Sequence, residues 1–219
     1  MHNGFTVMSF LQRASRLFPD GKIIFGNASR TYAETYDRVI RASNACSSIG
    51  IAKGSVIGVA DWNTPEFAEM LYVAGNLGAV IYPINIRLPS AQILQTVRQA
   101  GVQWFCISRD FESLAKGAAA DSGMVISMDG IAQGVPYEKL VSGGSTDPPA
   151  AEVSGTDPYS ILCTSGKSLD ARCRKDITLN PLCIDVTVLN VIYQYQARGY
   201  PAAFWSLQYL RSPALILQL

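Results

Sequence analysis

The sequence has 219 residues, 48% of them hydrophobic, and a formal net charge of +1. This length and composition predict a globular chain that can bury a sizeable core. The nearly neutral charge argues against a nucleic-acid partner, and no apolar stretch reaches the length of a transmembrane segment.

The first predicted element is a helix near the N-terminus. Phe10, Leu11 and Leu17 fall on one helical face, with Arg13 and Arg16 outside it. A targeting peptide is the alternative, but the apolar stretch is too broken for one. We therefore expect an ordinary first helix.

A hairpin and a second helix are predicted next. Gly26-Asn27 is typical of a tight hairpin turn, and Thr31 lies three residues before Glu34, as in a capping box that begins a helix. This helix should end at Gly50. Its predicted buried face consists of Tyr36, Val39, Ile40, Ser43 and Cys46.

Strands and helices then alternate, which is typical of an α/β fold with a mostly parallel sheet and flanking helices. Thr64 and Pro65 predict the start of one helix, as N-cap and first helical residue, and residues 89–100 form another. The predicted strands are residues 56–60, 80–84, 103–107 and 124–127.

A connecting segment rich in glycine and proline, residues 141–157, precedes one more apolar strand that begins at Tyr159. This strand leads directly into Thr164, Ser165 and Gly166. Small residues let the main chain approach an anion closely, and hydroxyl and backbone N–H groups can bind phosphate. The three residues are therefore the predicted phosphate-binding site.

Cysteine and histidine usage limits the possible chemistry. The five cysteines contain no Cys-x-x-Cys pair, so we expect neither a disulfide framework nor a zinc site, and a reducing, cytoplasmic setting fits best. His2 is the only histidine, which removes catalytic schemes that pair it with serine or cysteine. No catalytic or metal-binding residue is assigned.

Four motifs carry a family resemblance. They are Arg30-Thr31-Tyr32-Ala33-Glu34, Asp61-Trp62-Asn63-Thr64, the segment from Gly78 to Leu88, and Ile161-Leu162-Cys163-Thr164-Ser165-Gly166. Together they resemble the N-terminal part of the adenylate-forming, or AMP-binding, acyl-CoA synthetase superfamily over residues 5–166. Within that superfamily, the sequence is most similar to medium- and long-chain fatty acyl-CoA synthetases.

The resemblance implies a two-step ligase reaction. A fatty acid carboxylate attacks the α-phosphate of ATP with the assistance of magnesium, and coenzyme A then displaces AMP from the acyl-adenylate. It also implies that Thr164, Ser165 and Gly166 open the phosphate-binding loop of the family. The protein would then be a fragment of an ATP-dependent fatty acyl-CoA synthetase.

The family pattern breaks immediately after Gly166. Lys167 stands where a hydroxyl residue belongs and Leu169 where a second glycine belongs, while Ala171-Arg172-Cys173 replaces a closing Pro-Lys-Gly. Later family residues that contact adenine, ribose and magnesium, and a C-terminal catalytic lysine, cannot be assigned. We therefore expect an inactive chain whose binding of ATP, magnesium and coenzyme A is in question.

These observations divide the chain into residues 1–166, an incomplete N-terminal subdomain, and residues 167–219, a tail without family resemblance. The tail is either a diverged, folded extension or an out-of-frame translation that begins after Gly166. The second account is favoured because divergence usually preserves the glycines that a loop conformation requires.

Two other functions remain open. Gly166-Lys167-Ser168 after a strand is similar to the end of a P-loop, although Ile161 stands where that motif needs its first glycine. The chain could instead be a non-catalytic interaction fragment that pairs through its incomplete core.

Several other residues have a structural and a functional interpretation. Asp61 could bind magnesium or a substrate amine, but a strand-end aspartate more often caps the next turn. Trp62 and Tyr82 are expected to pack in the interior, Asn85 to fix a connection, and Lys53 to be an ordinary solvated charge.

Overall fold

The computed structural model of the chain describes residues 6–26, 28–114, 117, 124–130 and 134–161. Its elements are α1 (Val7–Leu17), β1 (Lys22–Phe25), β2 (Ala28–Thr31), α2 (Tyr32–Ser48), β3 (Val56–Ala60), α3 (Pro65–Leu77), β4 (Val80–Pro83), α4 (Ser90–Ala100), β5 (Trp104–Ile107), β6 (Met124–Ser127), β7 (Val135–Pro136) and α5 (Tyr137–Gly143).

The main sheet has the strand order β4-β3-β5-β6-β7, and each neighbouring pair is parallel. β1 and β2 form a separate antiparallel hairpin. The predicted α/β fold with a mostly parallel sheet and flanking helices is thus confirmed. The short central strands are almost wholly apolar and buried, as expected for a parallel sheet covered on both faces.

Alternation along the strands produces a core on each face of the sheet. Ile57, Ile81 and Cys106 point to the face covered by α1, α2, α3 and α5. Tyr82 and Phe105 belong to the second core, which includes the apolar side chains of α4. None of the described helices is long and apolar enough to cross a membrane.

The predicted helix starts are confirmed in atomic detail. Thr31 Oγ1 accepts from the backbone N–H of Glu34 at 3.1 Å, while the Glu34 carboxylate accepts from the N–H of Thr31 at 2.7 Å. Thr64 Oγ1 caps α3 by accepting from the N–H of Phe67. These capping residues fix where α2 and α3 begin.

The predicted face of α1 is wrong in one respect. The helix buries Val7, Met8 and Leu11, whereas Leu17 is 56% exposed. Its contacts with α2 and α3 lie toward its N-terminal half, so the apolar residue in its last turn stays outside the core.

A buried charge network joins the hairpin and three helices. Glu69, on α3, is 1% exposed and accepts from Arg30 Nη1 at 3.0 Å, Arg38 Nε at 2.8 Å and the Tyr137 hydroxyl at 2.9 Å. Burial, followed by the nearby Glu69 charge, raises the pKa of Tyr137 well above its usual value. β2, α2 and α5 are therefore all tied to one residue of α3.

Neutralising Glu69 should strongly destabilise the fold. In Glu69→Gln, two guanidinium groups lose their shared carboxylate in a buried setting, so we expect the free energy of unfolding to fall by about 3 kcal/mol. Asp37→Asn is the control because it removes an exposed ion pair with Arg41 and should cost about 0.5 kcal/mol. Urea unfolding followed by circular dichroism measures both; equal losses would contradict the role of Glu69.

Candidate functional site

The strand that leads to the predicted phosphate-binding residues lies beside β4. Ser160 forms a parallel bridge with Ile81; the N–H of Ile81 donates to the Tyr159 carbonyl at 2.8 Å, and the N–H of Ile161 donates to the Ile81 carbonyl at 2.9 Å. Because this pairing is parallel, the chain leaves Ile161 at the carboxyl edge of the sheet.

The predicted site itself begins three residues further on. Thr164, Ser165 and Gly166 lie outside the described residues, as do Lys167 and the rest of the tail. The structure therefore defines the strand that delivers this segment and the sheet edge toward which it runs. In open parallel sheets, that edge is where ligands bind.

Polar side chains follow the central strands at the same edge. Asp61 comes directly after β3, Ser108 after β5, and Asn85 lies shortly after β4. The Asn85 Oδ1 accepts from the N–H of Arg87 at 3.2 Å, so this asparagine fixes the connection that follows β4, as predicted. The sequence analysis did not single out Ser108, although its position after a strand was a usable signal.

Asp61 has an unusual environment. Its side chain is 6% exposed; Oδ2 accepts a short hydrogen bond from the Thr64 hydroxyl, while Oδ1 is buried without a hydrogen-bond partner among the described residues. Burial raises its pKa from 3.8 to about 6, against the opposing effects of the hydrogen bond from Thr64 and of the nearby Ser108 hydroxyl. The contact with Thr64 supports the predicted capping role.

The described residues contain no group of three side chains that could hold a metal ion, so Asp61 does not belong to such a cluster. Cys46 and Cys106 are free thiols in the core, and burial raises the pKa of both. Buried thiols with raised pKa are inert as nucleophiles. Cys46 and Cys106 are thus not activated nucleophiles.

The aromatic residues beside the edge differ in burial. Tyr82 is 1% exposed, as predicted, whereas Trp62 is 52% exposed and packs only partly, with its ring centroid 5.3 Å from that of Phe111. Its Nε1 donates to Asp110 Oδ2 at 2.7 Å. Trp62 directly follows Asp61 at the end of β3, where the chain leaves the core, and this accounts for the exposure.

Asp61 should make stability depend on pH in a specific direction. Its pKa is higher in the folded state, so its protonation favours folding below pH 4, and that contribution is lost as the pH rises through about 6. From pH 4 to pH 7.5, we expect Asp61→Asn to gain about 2 kcal/mol of unfolding free energy relative to the unsubstituted chain.

Urea midpoints at the two pH values measure this difference. Asp20→Asn, at an exposed carboxylate, is the control and should follow the unsubstituted chain. If the unfolding free energies of Asp61→Asn and the unsubstituted chain changed equally with pH, burial would not raise the pKa of Asp61.

Comparison with solved structures shows the fold. A fatty acyl-CoA synthetase from Mycobacterium tuberculosis superposes with a TM-score of 0.64 at 24% identity, over 74% of this chain and 33% of that one. The anthranilate-CoA ligase AuaEII, solved with anthranoyl-AMP, gives 0.70 at 15% identity, over 77% of this chain and 34% of that one.

Curated relatives extend the comparison. "Probable acyl-activating enzyme 22" of Arabidopsis thaliana is 30% identical over 94% of this chain, and the peroxisomal benzoate–CoA ligase of the same plant is 29% identical over 92%. The chain spans only 42% and 38% of the lengths of these two relatives. The family model described as "AMP-binding enzyme" matches residues 11–166, which is more than half of the sequence. This chain belongs to the AMP-binding enzyme family.

Proposed function

We propose that the chain forms the N-terminal part of an ATP-dependent fatty acyl-CoA synthetase. In this reaction, a carboxylate oxygen attacks the α-phosphorus of ATP and pyrophosphate leaves; the coenzyme A thiol then attacks the acyl carbon, and AMP leaves. Family membership over residues 11–166 supports this reaction class. A fatty acid is proposed as the substrate on the strength of the Asp61-Trp62-Asn63-Thr64 motif and the segment from Gly78 to Leu88.

The single observation that carries the proposal is the parallel pairing of Ser160 with Ile81. Because of this pairing, Ile161, three residues before Thr164, lies at the carboxyl edge of the sheet. In open parallel sheets, ligands bind at that edge. We propose that the hydroxyl groups of Thr164 and Ser165 and the backbone N–H of Gly166 bind phosphate oxygens. Such donors would stabilise the charge that develops on the leaving pyrophosphate.

Magnesium, when bound, would neutralise part of the phosphate charge. The described residues provide no cluster of ligands for it. Magnesium commonly binds through substrate phosphates and one or two carboxylates. The described residues define no contact with coenzyme A either. Magnesium and coenzyme A are therefore included in the proposed reaction on the basis of family membership.

We propose that this polypeptide alone does not turn over. Lys167 and Leu169 replace a hydroxyl residue and a glycine in the phosphate-binding loop of the family. A leucine restricts the backbone conformations that a glycine allows, so it would hinder the turn that directs backbone N–H groups at phosphate. The P-loop alternative is weaker because Ile161, where that motif requires glycine, is a core residue at 5% exposure.

The proposed functional unit is residues 1–166, followed by an out-of-frame tail at residues 167–219. Two facts bear on this proposal in opposite directions. The family match ends at Gly166, which supports a break there. An alignment that covers 94% of the chain extends beyond Gly166, which supports a diverged but related continuation.

We propose a cytoplasmic location, since Cys46 and Cys106, the cysteines among the described residues, are free and buried, as in a reducing compartment. Several of the Arabidopsis relatives, including the benzoate–CoA ligase, carry the word peroxisomal in their names, which is a statement about those proteins.

A chimera tests the proposed function. Residues 1–166 of this chain, joined to the remaining part of the Arabidopsis benzoate–CoA ligase, should release pyrophosphate from ATP when a fatty acid is supplied, whereas the chain alone should release none. Ser165→Ala in the chimera should lower kcat about 100-fold because a donor to the leaving pyrophosphate is lost.

A P-loop would require Lys167 to bind the phosphates of ATP. Lys167→Met in the unmodified chain is therefore the matched control for the P-loop alternative. Circular dichroism melting establishes that each protein is folded. Acid-dependent pyrophosphate release by the chain alone would contradict the proposed inactivity. A folded chimera that shows no adenylation of any acid would contradict the proposed function.

The encoding DNA tests the proposed origin of the tail. If translation leaves its frame after Gly166, one of the other two frames should restore a Thr-Gly-x-Pro-Lys-Gly-like sequence within a few codons and continue with the family pattern. Sequencing of the transcript provides the measurement. Absence of such a sequence in both frames would establish a diverged extension.

A further inference from the structure

A short segment, residues 152–158, precedes the strand at Tyr159 and is fastened to the turn before β3. Lys53 Nζ lies 2.7 Å from Asp157 Oδ2 and donates to the Glu152 carbonyl at 3.2 Å. The sequence predicts an ordinary solvated charge at Lys53, and its side chain is 53% exposed. The structure instead gives it two partners on the same segment.

Asp157 also closes a turn within that segment. Its Oδ2 accepts from the N–H of Ser154 at 2.7 Å, and its own N–H donates to the Ser154 carbonyl at 3.0 Å. The hydrogen bond from Lys53, followed by that from Ser154, lowers the pKa of Asp157. The carboxylate is therefore charged at neutral pH and holds both the turn and Lys53.

Tyr159 provides a second fastening, two residues further along. Its hydroxyl donates to the Leu71 carbonyl on α3 at 2.9 Å, and its side chain is buried. Gly75 leaves room for the ring: a Cβ there would lie 3.4 Å from Tyr159 Cε2 and 3.0 Å from Val7 Cβ. The ring thus occupies a site on α3 that a larger residue at position 75 would crowd.

These contacts fix the strand at a point where its own pairing is short. The described part of the strand pairs with β4 through one bridge and two backbone hydrogen bonds. A slip by one residue would turn Ile161 away from the core, and two hydrogen bonds alone provide little resistance to it. The ion pair of Asp157 and the hydrogen bond of the Tyr159 hydroxyl, on either side of Pro158, restrict that slip.

We propose that Lys53, Asp157 and Tyr159 are positioning residues that set the register of this strand on β4 and so fix where the phosphate-binding residues begin. The role in phosphate binding rests on the proposed function. The register of the strand on β4 concerns only the described residues and can be tested separately.

Amide exchange in the whole chain, labelled with 15N-isoleucine, tests the register. The informative signals are the N–H groups of Ile81 and Ile161, which form the two hydrogen bonds between the strands. Lys53→Met and Asp157→Asn should each speed exchange there roughly threefold, because a partly exposed pair is lost. Tyr159→Phe should speed it about tenfold, because a buried hydroxyl bond is lost.

The controls distinguish positioning from general support of the fold. Exchange at Ile57 and Ile126 in the central strands should not change, Lys53→Arg should restore the original rates, and the double variant at Lys53 and Asp157 should equal either single variant. Arg41→Met removes an unrelated surface pair with Asp37 and should leave Ile81 and Ile161 unaffected. Uniform acceleration at every isoleucine, or none at Ile81 and Ile161, would overturn the proposal.

The chimera tests the connection to the phosphate-binding residues. Lys53→Met and Asp157→Asn should raise its KM for ATP about threefold while the KM for the acid is unchanged, whereas Arg41→Met should change neither. Unchanged KM for ATP in an active chimera would overturn that connection. An inactive chimera would overturn the proposed function, and the exchange rates would still decide whether these residues set the register.

Discussion

The buried carboxylate of Glu69 is the constraint on which the rest of the described structure depends. Removing a charge from water costs several kcal/mol, so the fold is stable only if cations and hydrogen-bond donors reach that carboxylate. Arg30 comes from the hairpin, Arg38 from α2 and Tyr137 from α5, and all three contact it. Their meeting point on α3 fixes how the layer of helices lies on the sheet.

The same helix begins at the candidate site, so the network also determines the geometry there. α3 starts immediately after the turn that contains Asp61 and Thr64, at the carboxyl end of β3. Asp61 and Glu69 are both buried carboxylates, but among the described residues cationic partners contact Glu69 and not Asp61. Burial is therefore the main cause of the raised pKa of Asp61. Within the described residues, α3 thus carries a carboxylate with cationic partners, and the turn before it carries Asp61 without one.

Local sequence signals were sufficient for much of the fold. The hairpin, the caps at Thr31 and Thr64 and the strand from Val56 to Ala60 depend on neighbouring residues, and the structure agrees with each. The Glu69 network depends on residues 31 to 68 positions apart, and no local pattern indicates it. The strand order and the exposure of Trp62 also follow from tertiary packing. The phosphate-binding residues themselves remain a prediction from sequence, because they lie outside the described residues.

The contacts that hold the strand at Tyr159 are separate from the proposed phosphate-binding residues. Sheet pairing, the buried ring of Tyr159 and the ion pair of Lys53 with Asp157 all precede Thr164, and none of them requires the residues after Gly166. The proposed adenylation requires hydrogen-bond donors that face the phosphate groups together, because only such donors stabilise the charge that develops there. The described contacts account for the position of Ile161 beside β4. The proposed phosphate-binding residues are a separate requirement of the proposed reaction.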